Sequence, residues 1–259
     1  MSNLKLVSKS KKVTSFHKPL QNGQWYTIYN CDFRAVEYPE GITISDVPYN
    51  FRYRYRSYSD DLIIEIYLAL LKAIPKPCVI IHYPEETVNL LHKVWGWCEK
   101  IVAWVYSANT PRQHRSISWW GCKPDLTLYG QPFKNPKDKR NQKKIAQGLF
   151  ARLYDWWEVQ QVKNTSTEKV KGPVIHPCQT PEKVIRRIIA TTVPKGTTVI
   201  DPFMGSGTTG KVAIEMGYNF IGFEIDPAYY AIAKKRIAKA TPAIEQPGTG
   251  DYWMNQKAA

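Results

Sequence analysis

Short apolar runs recur along the 259-residue chain, separated by turn residues or by stretches with helical spacing. Trp25–Tyr29 (WYTIY), Gly41–Ser45 (GITIS), Cys78–His82 (CVIIH), Ile101–Ser107, Thr197–Ile200 and Phe220–Ile225 are short and rich in β-branched and aromatic residues, which predicts strands. Helical stretches lie between them. One runs from about Asp60 to Ala73, where Ser59 or Asp60 can cap and Pro75 and Pro77 stop it. Its Leu62, Ile63, Ile64, Ile66, Leu68, Leu70 and Leu71 cover most of the circumference, as expected of a helix packed deeply on a sheet. Pro84 begins another helix that ends near Cys98. Thr180 is a good N-cap and Pro181 a good first residue for a third, whose apolar face is Val184, Ile185, Ile188 and Ile189. Thr208–Met216 reads as helix with Gly217 at its end, and Asp226-Pro227 starts the last helix, to about Ala238.

Strands alternating with helices imply an α/β domain with a mainly parallel sheet and helices on both faces. From 109 to 172 the rhythm fails. Ser116–Gly121 is strand-like, Lys134–Lys144 is a polar loop with six Lys or Arg against one Asp, Leu149–Trp157 reads as a short helix, and Asn164–Gly172 as a polar linker. This block is expected to be an insertion, and the tail from 241 to 259 to be poorly ordered.

Charge sharpens the picture. The formal net charge is +14, which favours a polyanionic partner, nucleic acid first. Five dispersed cysteines without a Cys-x-x-Cys pair suit reduced thiols rather than a zinc site or disulfide frame. The basic N-terminus lacks the apolar core of a signal peptide and no run approaches membrane-span length, so a cytoplasmic protein is expected.

The stretch TTVIDPFMGSGTTGKVAIEMGYNFIGFEID, Thr197 to Asp226, orders strand, glycine loop, helix and second strand, with Glu224 at the second strand's end. Glycines admit a ligand close to the backbone, helix-start amides hold an anion, and an acid about twenty residues on grips a ribose diol. Two ligands fit. Gly205 to Lys211 has the spacing of a phosphate-binding P-loop, but Val212 stands where that loop needs a hydroxyl for magnesium. An S-adenosylmethionine site uses the same amides for the methionine carboxylate and Glu224 for the ribose.

Asp32, Asp46 and Glu224 all lie at predicted strand ends, where ligands of parallel sheets bind. The turn Asp46-Val47-Pro48-Tyr49 suits chemistry on an exocyclic amine, whose lone pair is delocalised into its ring. Asp46 and the Val47 carbonyl can accept the two amine hydrogens, and Tyr49 offers a ring for a flipped-out base. If the following run is extended, alternation puts Arg52, Arg54 and Arg56 on one side and Tyr53 and Tyr55 on the other, a basic rim beside a stacking pocket.

This set resembles the β-class DNA amino-methyltransferases, which transfer a methyl group from S-adenosylmethionine to N6 of adenine or N4 of cytosine. Asp46-Val47-Pro48-Tyr49 looks like their Asp-Pro-Pro-Tyr motif, and Asp201-Pro202-Phe203-Met204-Gly205-Ser206-Gly207-Thr208-Thr209 matches their cofactor loop. Gly222-Phe-Glu224-Ile225-Asp226 resembles their ribose segment, and His176-Pro-Cys-Gln179-Thr180-Pro181 their His-Pro-x-Gln-Lys-Pro segment. Two positions depart from the pattern: Val47 replaces a proline, which loosens the turn, and Thr180 replaces a lysine.

The resemblance implies a Rossmann-like fold with a seven-stranded, mainly parallel sheet. One domain would span 1–259, with the catalytic motif before the cofactor loop and 109–172 as the target-recognition insertion. It implies S-adenosylmethionine as cofactor, held by Asp32, His176, Gln179, Asp201, Pro202, Phe203, Gly205, Ser206, Gly207, Thr208, Thr209, Glu224, Ile225 and Asp226. Double-stranded DNA would meet Arg52, Arg54, Arg56, Arg115, Lys134, Lys137, Lys139, Arg140, Lys143 and Lys144. A homodimer, a cognate restriction endonuclease and a bacterial or phage origin are compatible with it. No metal is needed, because the leaving group is neutral. Aspartate rather than serine at the first motif position leans toward adenine-N6. Cytosine-N4 or RNA methylation, a catalytically weak DNA-binding protein that keeps its cofactor, and a P-loop hydrolase are the alternatives.

Overall fold

Burial follows the apolar runs. A computed structural model gives the fold over residues 13–20, 22–172 and 176–242. In chain order the strands are β1 (Thr14–Pro19), β2 (Trp25–Asn30), β3 (Ile42–Asp46), β4 (Cys78–His82), β5 (Lys100–Val105), β6 (His114–Trp120), β7 (Gly130–Gln131), β8 (Ala151–Arg152), β9 (Trp156–Glu158), β10 (Thr198–Asp201) and β11 (Asn219–Phe223). The helices are α1 (Ile64–Lys72), α2 (Pro84–Glu86), α3 (His92–Trp95), α4 (Lys139–Ala146), α5 (Glu182–Thr192), α6 (Thr208–Glu215) and α7 (Pro227–Ala238). A π-helical turn, Thr87–Leu91, joins α2 to α3, so the helix expected after Pro84 is continuous but ends at Trp95. Every residue of β4 and β10 is buried, as a strand covered on both faces requires.

One sheet runs in the order β1-β2-β11-β10-β3-β4-β6-β5-β9. The five strands from β2 to β4 are mutually parallel, and β6 is antiparallel to both β4 and β5. The strands from β2 to β5 are the expected seven. β1 adds an antiparallel edge at one end and β9 a parallel edge at the other.

Alternate residues divide between two cores. Val79, Ile81 and Val199 face α5, α6 and α7, while Cys78, Ile80 and Ile200 face Tyr67 and Leu71 of α1 and Leu91. Gly210 lets α6 lie tight on its neighbours: a Cβ there would come within 2.5 Å of Phe220 and 2.6 Å of Ile237. Among the described residues no helix is long and apolar enough to cross a membrane.

Several expectations are corrected. The helix expected from Asp60 starts at Ile64, because the Asp60 carboxylate accepts from the Tyr53 amide and caps nothing. Nor is it deeply packed, since only Tyr67 and Leu71 are buried and Ile63 is 64% exposed. Leu149–Trp157 is not a helix: Trp157 is buried between exposed Trp156 and Glu158, the period of a strand. The basic loop contains a helix, α4, whose Asp138 cap accepts from the amides of Arg140 and Asn141. Residues 109–172 are not wholly an insertion, because β6 is a buried inner strand and β9 an edge strand of the main sheet. The off-sheet excursion between them is 121–155. The expected tail falls, from 243 onward, outside the described residues.

Candidate functional site

Four parallel neighbours, β2, β11, β10 and β3, deliver acids to one end of the sheet. Asp46 closes β3, Asp201 closes β10, Glu224 follows β11, and Asp32 stands two residues beyond β2. Carboxyl ends of strands are where such sheets bind ligands. All four line a cavity of about 520 Å³, whose wall also includes Val47, Pro48, Tyr49, His176, Thr180, Pro202, Phe203, Gly205, Ser206, Thr208, Thr209 and Ile225. That volume suits a nucleoside-sized ligand.

The Asp46 carboxylate is gripped from three elements. Its Oδ1 accepts from the Tyr49 hydroxyl, and its Oδ2 accepts from Thr180 Oγ1 at 2.6 Å and from Arg115 Nη1 at 3.4 Å. Thr180 therefore does not cap α5; Pro181 holds that position without a side-chain cap. The turn itself is braced just after Val47. Pro48 O accepts from the Tyr67 hydroxyl at 2.7 Å, and that hydroxyl is 2.9 Å from His82 Nε2. His82 Nδ1 accepts from the Tyr83 amide at 2.8 Å, so Nε2 carries the proton of the neutral ring. Burial, reinforced by Arg115 and Arg112, holds His82 down to about 3, which keeps it neutral. Asn50, in the left-handed region at φ 57°, clamps Leu62 through its amide at 2.7 Å and its carbonyl at 2.9 Å.

The glycine loop folds around Glu224. Its Oε2 accepts from the Gly205 amide at 3.0 Å and its Oε1 from the Asp226 amide at 2.8 Å. Burial raises this carboxyl to about 7 against those two amides, which favour the charged form. Asp201 is raised to about 6, also by burial, while its hydrogen bonds with Thr209, Ser45 and the Phe203 amide pull the other way. Gly205 has φ +49°, and a Cβ on it would lie 2.8 Å from His176 Nε2. Gly207, φ +80°, is the N-cap of α6 and supplies no side chain to its first amides. Arg236 donates to Thr208 Oγ1 at 2.7 Å and to Ser206 Oγ at 3.3 Å, adding positive charge behind this helix start.

Several assigned residues stand elsewhere. Gln179 does not line the cavity; its carboxamide ties Val170 N and Glu168 O. Asp226 and Gly207 stand behind the wall, the first as N-cap of α7 and the second packed on Ala233. Arg115 is not a surface DNA contact, being 8% exposed and lodged by the rings of Tyr49, Tyr83 and Trp104 at 5.1, 5.6 and 5.1 Å.

The Tyr-Arg run is not extended. Arg52 N and Asp60 N bond back across it, to Asp60 O and Tyr53 O, and Arg54 bridges Ser59. The clasp leaves Arg52, Arg54 and Arg56 exposed while Tyr55 stacks on Tyr58 at 4.7 Å. Tyr53, Tyr55 and Tyr58 line the cavity. Lys134, Lys137, Lys139, Arg140, Lys143 and Lys144 are all exposed, the last four on α4. Lys211, which a P-loop would aim at phosphate, is held by Glu182 at 2.5 Å and Glu215 at 2.8 Å and does not line the cavity. Tyr67, His82 and Arg236 are functional neighbours that the sequence did not single out. His82 closes a predicted strand, which was a usable signal; the other two carry none.

The sequence model of the DNA methylase family N6_N4_Mtase matches residues 42–235, more than half of the chain. A Type II methyltransferase of Streptococcus pneumoniae, M2.DpnII, is 39% identical over 133 residues, covering 47% of this chain and 50% of the relative. M.BglII, a Type II methyltransferase of Bacillus subtilis, is 31% identical over 130 residues, covering 47% of this chain and 35% of the relative. The matched stretches thus span half or less of these relatives' own length. The solved PvuII DNA methyltransferase (cytosine-N4-specific) superposes with a TM-score of 0.57 at 17% identity, covering 82% of this chain and 86% of that one. The likeness to PvuII is one of fold.

Proposed function

The chain belongs to the DNA methylase family N6_N4_Mtase, and from that premise we propose that it transfers a methyl group from S-adenosylmethionine to N6 of adenine in double-stranded DNA. One observation carries the reading: the Asp46 turn opens into the same cavity as the glycine loop and Glu224.

The cavity's residues fit the cofactor. Phe33 and Phe203, edge to face at 5.5 Å, and the half-exposed Ile225 give the adenine an apolar wall. Glu224 suits the ribose diol, and Asp32, which also lines the cavity, suits the adenine end. The uncapped start of α6, backed by Arg236, suits the carboxylate. When bound, S-adenosylmethionine supplies an electrophilic methyl group whose departure leaves neutral sulfur.

Asp46 and the Val47 carbonyl accept the two hydrogens of the target amine and draw its nitrogen toward tetrahedral geometry, and the proton that the methylated nitrogen gives up passes to solvent along the Asp46 hydrogen bond. The amine takes over the Oδ1 position to which Tyr49 now donates. Tyr49 then presents its ring to the extruded base. The clamps on Pro48 and Asn50 hold this turn still, supplying the rigidity lost with the family's first proline. The exposed basic groups of α4 and the arginines of the clasp meet the DNA backbone, and 121–155 serves target recognition.

The test is transfer of labelled methyl from S-adenosylmethionine to unmethylated genomic DNA, with Asp46→Ala as control and hydrolysis to identify the base. N6-methyladenine that vanishes in the variant is expected. N4-methylcytosine would replace the adenine assignment, and no transfer with cofactor binding intact would sink the activity.

A further inference from the structure

The two oxygens of Asp46 are held differently, and the difference assigns them separate work. Among the described residues Oδ1 meets only the Tyr49 hydroxyl, at the cavity wall. Oδ2 is held by Thr180, which precedes α5, and by Arg115, which projects from β6, two elements far from the turn in sequence. We infer that Arg115 and Thr180 are positioning residues that anchor Oδ2, leaving Oδ1 as the working acceptor for the target amine. This rests on the methyltransferase reading above.

Two features argue for a dedicated anchor rather than chance contacts. Thr180 is followed by a proline and a helix, the place of an N-cap, yet its hydroxyl turns to Asp46 and leaves α5 without a side-chain cap. Arg115 is a buried guanidinium, and burying that charge is costly unless a carboxylate faces it. Asp46 is that carboxylate, at 3.4 Å. The rings of Tyr49, Tyr83 and Trp104 surround the guanidinium at cation-π distance. A lysine stands at the Thr180 position in the resembling family; here the positive charge beside Asp46 is Arg115 of β6.

The experiment compares Thr180→Val, Thr180→Ser, Arg115→Met and Arg115→Lys in the full chain. It measures kcat for methyl transfer, KM for DNA, cofactor affinity and the salt dependence of DNA binding. Thr180→Val and Arg115→Met should each lower kcat by roughly tenfold to a hundredfold, the range for a hydrogen bond to a charged group. KM and cofactor affinity should stay within about twofold, as expected when only the transition-state interaction is removed. Thr180→Ser and Arg115→Lys should recover part of the loss. The salt slope should not change with Arg115, whereas a phosphate contact would lower it by about one.

Unchanged kcat in Thr180→Val, or a lowered slope in Arg115→Met, overturns the inference while the proposed function stands. Wild-type protein that transfers no methyl to DNA overturns the function itself. If Arg115→Met does not fold, the Val and Ser variants of Thr180 still decide.

Discussion

Glu224 shows what one residue's surroundings do to its chemistry. A ribose diol donates two hydrogen bonds, so its partner must be an acceptor, and a protonated carboxyl has one acceptor oxygen fewer. In the free protein burial holds Glu224 near 7. Lowering the pH through 7 therefore adds a proton that the cofactor must displace, and raising it above 7 removes that cost. S-adenosylmethionine affinity should fall by up to about tenfold per unit below pH 7 and level off above it. Glu224→Gln should bind weakly with no such dependence. Equilibrium binding of both proteins between pH 5.5 and 8.5, taken as a difference to cancel titration of the cofactor's own groups, checks this. A wild-type profile that matches the variant's would remove Glu224 from the ribose site. Val47 and Thr180, the two departures from the family pattern, also make sense at this scale. Val47 is 2% exposed in a turn whose Pro48 carbonyl is held by Tyr67, and Thr180 turns its hydroxyl on Asp46.

At the scale of elements, caps and clasps decide how the site is framed. Asp226-Pro227 signals a helix start and forms one, its carboxylate accepting from Ala228 N at 2.7 Å and Tyr229 N at 3.1 Å. That cap fixes α7, whose Arg236 reaches the start of α6 and pairs with Glu182 of α5 at 2.6 Å. Asp226→Ala should cost about 1 kcal/mol, as loss of a helix cap does. In a chain of this size that lowers the thermal midpoint by roughly 2–4 °C. Calorimetry of the cofactor-free protein measures it, and an unshifted midpoint would show that the cap contributes nothing. Asp60 and Thr180 are cap signals of equal quality that bind elsewhere, to the Tyr53 amide and to Asp46. Local sequence ranks cap candidates, but a nearer or more buried acceptor or donor takes the side chain.

Across the whole molecule the excess charge is unevenly used. Of the basic residues assigned to DNA, Arg115 is consumed internally while Lys139, Arg140, Lys143 and Lys144 lie exposed on one helix. Replacing those four with Gln should weaken DNA binding on all sequences alike. The slope of log affinity against log salt should drop by about 0.9 for every phosphate that is no longer neutralised. Cofactor affinity should not move. A salt titration of both proteins on specific and random duplexes tests this, and an unchanged slope would show that α4 does not touch the backbone.

Sequence alone determined the sheet's five parallel inner strands, the glycine loop, and the acids that end at the cavity. Each is written in a short window: an apolar run bounded by turns, a φ only glycine adopts freely, an acid at a strand's end. Periodicity over a few residues is set by local sterics and burial, and these act wherever the segment goes. Tertiary structure decided the rest. Ser116–Gly121 read as a strand of an irregular block set apart from the main sheet, yet the strand there, His114–Trp120, lies between β4 and β5. Trp156–Glu158 became a strand because an exposed sheet edge was there to pair with it. Arg115, counted among the DNA contacts for its charge, is buried beside Asp46, from which it is separated by 69 positions. Thr180 meets the same carboxylate across 134. A charge or a hydroxyl is the same symbol in any sequence; its role depends on which partner the folded sheet brings within hydrogen-bonding distance, and no local window contains that partner.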